Sequence, residues 1–159
     1  TTTAFYRALH KAAQAFAADW VLIDVGPNLG AINRAALIAS EHVVVPLGPD
    51  LFSLQGLFNL GPALRGWRES WCELQAKNPD PQLDLPSGRI APAGYVVMQH
   101  GMRENRPPKA YQRWIDKFPS TYRRAMQGEQ QDPRMAAADD PECLAMLKHY
   151  RSLVPMAME

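Results

Sequence analysis

Asp24 ends a run of four apolar residues, Trp20, Val21, Leu22 and Ile23, and stands just ahead of the breaker pair Gly26-Pro27. A helix-compatible stretch, residues 29–39, follows directly. A short apolar run bounded by turn residues reads as a buried strand. This one would deliver a carboxylate to its C-terminal tip, where ligands bind in open parallel sheets. A single aspartate there, with a sharp turn behind it, suits holding Mg²⁺ beside a nucleotide phosphate. The residues point to nucleotide-dependent chemistry. Half of what that chemistry needs is missing: no glycine-rich phosphate loop with its lysine occurs in the 159 residues.

The elements that would position Asp24 follow from periodicity. Phe5, Ala8, Leu9, Ala12, Ala13 and Phe16 recur at helical spacing and predict an amphipathic helix over residues 4–16. The strand at 20–24 comes next. A helix over residues 28–40 follows, with Asn28 placed to cap its first turn. Val43-Val44-Val45-Pro46-Leu47 reads as a second strand. Strand, helix and strand with short links make a βαβ unit with parallel pairing and a right-handed crossover.

Beyond the turn Gly48-Pro49-Asp50, a helix is expected over residues 53–77. Its apolar stripe is Leu54, Leu57, Phe58, Leu64, Trp67, Trp71 and Leu74, and Gly61-Pro62 should kink or split it. Residues 78–93 read as a surface loop, 94–98 as a third strand, 106–126 as helix with a break at Pro119, and 142–151 as a final helix. The fold class is α/β, a partial doubly wound, mainly parallel sheet with flanking helices. Three strands leave the sheet incomplete, with edges that want neighbours. The chain is expected to be one domain fragment, with a core over residues 1–100 and a helical C-terminal part over 101–159.

Composition narrows the function. The hydrophobic fraction of 47% suffices for a core, and a net charge of +1 gives no global attraction to nucleic acid. Cys72 and Cys143 form no CxxC pair, which fits a reducing compartment without a disulfide framework or zinc site. The apolar runs are too short to cross a bilayer. The first residues lack a signal-peptide layout. A cytoplasmic protein is expected.

Two blocks, in order and closely spaced, resemble a known family. Residues 19–30 resemble the Walker B and switch II segment of ParA/MinD-type ATPases, an apolar strand followed by Asp, a small residue, Pro-Pro, Ser and Leu. Residues 43–57, with Pro46 closing a strand and Ser53-Leu54-Gln55-Gly56-Leu57 opening a helix, are similar to the family's next block. Residues 94–99 resemble a later strand near the base-binding edge, and 148–155 a late segment. The family's P-loop is absent, Gly26 stands where the pattern has Pro, and Asn28 where it commonly has Ser.

The resemblance implies a P-loop NTPase-like fold and a fragment truncated at both ends. In the parent, Mg-ATP would be the cofactor and Asp24 would hold Mg²⁺ through water. Gly26, Pro27 and Asn28 would sense the γ-phosphate, and Gln99 would lie at the base. The parent would hydrolyse ATP, dimerise around it, and act in DNA partition or cargo positioning, with a ParB-like partner. The fragment alone, lacking the phosphate cradle, is expected to bind no cofactor and to be inactive. The alternative is a nucleotide-free interaction module on a degenerate form of the fold.

Other candidates carry two readings each. Arg106, Lys109, Arg113 and Lys117 form a basic helix stripe, opposite Tyr111, Trp114, Ile115 and Phe118. Non-specific contact with a DNA backbone is one reading; a solvated helix face is the commoner one. His10, His42, His100 and His149 show no metal-ligand spacing. Ser53 lacks the Gly-x-Ser-x-Gly frame of a hydrolase nucleophile.

Overall fold

The computed structural model describes residues 2–26, 28–100, 109–129 and 135–148. The architecture is α/β, a three-stranded parallel sheet with flanking helices. The helices α1 (Thr2–Ala15), α2 (Ala31–Ala39) and α3 (Leu51–Ala76) alternate with the strands β1 (His42–Leu47) and β2 (Ala91–His100). Then come α4 (Lys109–Ile115), α5 (Phe118–Tyr122), a π turn over Arg123–Gln127, a 3₁₀ turn over Ala137–Asp139, and β3 (Cys143–Lys148). The sheet order is β1-β2-β3. The chain divides into two compact units.

The first unit comprises Thr1–Val43 and Ala63–Pro92. Here α1 packs on α2, whose Ala35, Ala36, Leu37 and Ile38 are buried. Helix α1 ends in a Schellman motif: Ala18 N–H donates to Ala13 O at 2.9 Å and Ala17 N–H to Gln14 O at 3.2 Å. Ala17 takes the left-handed position with φ 47°, where glycine is the usual occupant. The long loop before β2 is tied down by Trp71, whose Nε1 donates to Pro86 O at 3.0 Å, and by Arg68, which donates to Ile90 O at 2.9 Å. His10 Nδ1 lies 3.0 Å from Asp84 Oδ2, joining α1 to the same loop.

The expected strand at 20–24 is not formed. Residues 20–26 lie outside every strand, and Trp20 and Leu22 are 84% and 93% exposed. An apolar strand is stable only when its backbone groups find a ladder and its side chains find both faces covered. Among the described residues no strand pairs with this segment, so the apolar run stays off the sheet.

The second unit comprises Val44–Pro62 and Ala93–Glu159. Asp50 caps α3: Ser53 N–H donates to Asp50 Oδ1 at 2.8 Å, and Gly48 N–H, two residues before the cap, donates to the Ser53 hydroxyl at 2.9 Å. The expected split at Gly61-Pro62 does not occur, because α3 is one helix with Pro62 inside it. Gly61 serves a different purpose. A Cβ there would sit 1.9 Å from Ala125 O and 2.6 Å from its carbonyl carbon, so the helix backbone approaches the π turn at a distance only glycine permits. Gly61→Ala is expected to destabilise the chain by about 2 kcal/mol, an overpacking cost against backbone atoms. Gly66→Ala, on the same helix with open space around it, is expected to stabilise it by up to ~1 kcal/mol. Urea midpoints of both variants check this; equal midpoints would refute the close approach.

The expected helix over residues 142–151 is a strand over its described part. β3 pairs in parallel with β2, with Tyr95 opposite Cys143 and Val97 opposite Met146. Pairing overrides the helix propensity of Leu144, Ala145, Met146 and Leu147. Tyr95, Phe118 and Tyr122 are fully buried and form an aromatic cluster, with Tyr95 and Tyr122 centroids 5.2 Å apart. Asp140 is buried beside it. Its carboxylate accepts the Tyr95 hydroxyl at 2.8 Å and the Glu142 N–H at 3.1 Å, and pairs with the Arg123 guanidinium. Burial first, then the bond to Asp140, drives the Tyr95 phenol far above its ordinary pKa, so it remains a donor. Burial and after it Glu142 push Tyr122 up to about 12.

Candidate functional site

Three features of the first unit build the site. The Schellman end of α1 releases the chain into an open segment, and Asp24 lies near the end of that segment. Its carboxylate is exposed and takes no hydrogen bond or ion pair among the described residues. Behind it Gly26 and then Asn28, Leu29 and Gly30 lead to α2, which is held in place by its buried stretch Ala35 to Ile38.

The turn is a hydrogen-bonded structure. Asn28 Oδ1 accepts the Gly30 N–H at 3.0 Å, an Asx-type turn that fixes the approach to α2. The expected cap therefore shifts: α2 begins at Ala31, its N-cap is Gly30, and Asn28 acts two residues earlier. Asn33, on the first turn of α2, donates its amide to Gly26 O at 2.9 Å and to Asn28 O at 2.8 Å, and lies 3.3 Å from Asn28 Oδ1. Gly26 needs no special conformation, since a Cβ there would meet only side-chain amides at 3.8 Å. Gly30 is more restricted, since a Cβ would sit 2.9 Å from Asn28 Oδ1 and displace it.

Asp24, Gly26 and Asn28 lie in one short segment ahead of α2. Asn33 was not singled out by the sequence reading. Its signal was present: an amide interrupts an otherwise apolar stretch, and asparagine favours local bonding to backbone over helix interiors. Pro27 and Arg106 lie outside the described residues. Gln99 falls at the C-terminal end of β2, and its side chain lies outside them too, as does that of Lys109 at the start of α4. Arg113 and Lys117 both pack on Trp114, with Arg113 Cζ 4.7 Å and Lys117 Nζ 5.2 Å from the ring centroid. Among the described residues no three His, Cys, Asp or Glu side chains gather as a metal cluster. Mg²⁺ does not require one, because it keeps several waters and takes one or two carboxylates plus phosphate oxygens. An exposed, unpaired Asp24 fits that donor set.

Residues 1–73 match a family model described as an AAA domain. Over 48 residues, 30% of this chain, the sequence is 35% identical to a ParA family protein of Chlamydia trachomatis serovar D, and equally to one of Chlamydia muridarum. Over that stretch the chain is similar to ParA family proteins. The matching stretch spans 19% of the length of each of these relatives. No solved structure gives a significant match. The stretch matched by the AAA-domain model contains Asp24, Asn28 and Asn33, and it ends within α3. Gln99 and the basic residues of α4 lie beyond it. No helix among the described residues is long and apolar enough to cross a membrane.

Proposed function

We propose that the full-length protein is an ATPase that binds Mg-ATP, dimerises around it, and works in DNA partition or cargo positioning. The observation that carries this reading is the exposed carboxylate of Asp24, without a hydrogen bond or ion pair among the described residues, just before the Gly26 and Asn28 carbonyls that Asn33 of α2 binds, inside the stretch matched by the AAA-domain model. Asp24 would hold Mg²⁺ through water. The metal would supply charge neutralisation at the transferring phosphate. The turn at 26–28 would then meet the terminal phosphate, and its geometry would differ between the triphosphate and diphosphate states. The phosphate cradle itself has no counterpart in these 159 residues.

A second reading is a nucleotide-free interaction module. The exposed Trp20, Val21 and Leu22, consecutive in the chain, favour it, since apolar side chains left together in water mark interaction surfaces. One experiment separates the two. The full-length protein is titrated with a fluorescent ATP analogue, with Mg²⁺ and with EDTA. Saturable binding that requires Mg²⁺ is the expected result. Absence of binding in both conditions would reject the ATPase reading and leave the interaction module.

A further inference from the structure

The Asn33 amide has two hydrogens and three acceptors within reach: Gly26 O, Asn28 O and Asn28 Oδ1. Two can be served linearly and the third only by sharing. Asn28 Oδ1 is already engaged by the Gly30 N–H. The turn is therefore latched at one point, and the latch holds a spare acceptor. The latch sits on α2, immediately before four buried residues, while the turn it holds is exposed. A fixed donor thus meets a yielding loop.

We infer that Asn33 is the positioning residue for the backbone at Gly26 and Asn28, setting where these two residues stand when a terminal phosphate is bound and letting them shift when the phosphate leaves. This rests on the nucleotide-binding reading given above. The spare acceptor makes the shift inexpensive. If either carbonyl swings away when the phosphate binds or leaves, the freed N–H passes to Asn28 Oδ1 and no donor of Asn33 is orphaned. A carboxylate cannot replace the amide, because it donates nothing and would face two carbonyl oxygens. Glutamine retains the donors on a longer stem.

The test uses the full-length protein and its Asn33→Ala, Asn33→Asp, Asn33→Gln and Asp24→Ala variants. Without nucleotide, amide hydrogen exchange across residues 25–32 should quicken at least about fivefold in Asn33→Ala and Asn33→Asp. Residues 42–47 should stay unchanged, and Asn33→Gln should fall between. With ATP, kcat should drop about tenfold in Asn33→Ala with KM within about twofold, the pattern of a lost positioning contact. Unchanged exchange, or faster exchange with unchanged kcat, overturns the role of Asn33 while leaving the ATPase reading intact if Asp24→Ala still abolishes hydrolysis. A rise in KM alone also overturns it, because that is loss of uniform binding. Normal hydrolysis in Asp24→Ala removes the ATPase reading and the inference with it.

Discussion

Asp140→Ala is expected to cost about 3–5 kcal/mol of folding stability, the usual penalty for removing one partner of a buried ion pair. Asp140 is 3% exposed and satisfies three donors: the Tyr95 hydroxyl, the Arg123 guanidinium and the Glu142 N–H. Its removal leaves a largely buried cation and a buried phenol without an acceptor. The phenol gains no relief by ionising, because burial, the largest cause of its raised pKa, penalises the charged form. Asp140→Asn keeps one acceptor and should cost less, about 1–2 kcal/mol. Replacing Asp140 and Arg123 together by apolar residues of similar size should restore most of the loss, because no charge is then stranded. Urea unfolding of the set measures this. Asp140→Ala within ~0.5 kcal/mol of the parent, the level of an ordinary surface change, would show that the cluster is not a stability determinant.

Asp24→Ala should behave in the opposite way. In the full-length protein it is expected to lower ATP hydrolysis by at least about 100-fold, on the order of 3 kcal/mol of transition-state stabilisation. It should also remove the Mg²⁺ requirement for whatever nucleotide binding remains. Stability should move by no more than about 0.5 kcal/mol, since the side chain is exposed and makes no bond among the described residues. Steady-state hydrolysis and a melting curve on one sample give both numbers. Full activity in the variant would dismiss Asp24 as metal holder. A collapsed melting point would assign it a structural role instead.

The contrast between these aspartates shows what one sequence makes legible. Asp24 was visible because its neighbours form a pattern: an apolar run, a carboxylate, a breaker, a helix. Asp140 sits in a polar stretch, and its partner Tyr95 lies 45 positions away. Nothing local announces that pairing. The helices α1 and α3 and the strands β1 and β2 were likewise readable from side-chain periodicity, because each shows its own face pattern. Residues 143–148 carry helix formers and so read locally as a helix, while their strand state depends on lying beside β2. The run at 20–23 failed for the converse reason. Its composition is that of a buried strand, but strand formation belongs to a pair, and the described chain supplies no partner. Asn33 shows in the sequence only as an amide near the start of α2; the three acceptors around it are brought together by the fold, which composition does not encode.

The exposed run has a thermal signature. Trp20 and Leu22 keep nearly all of their apolar surface in water. Whatever neighbour draws this segment into a sheet removes that surface from water, and such burial carries a negative change in heat capacity. The enthalpy of that association would therefore grow more favourable with temperature. A ligand that met Asp24 alone, leaving Trp20 and Leu22 in water, would lack that slope.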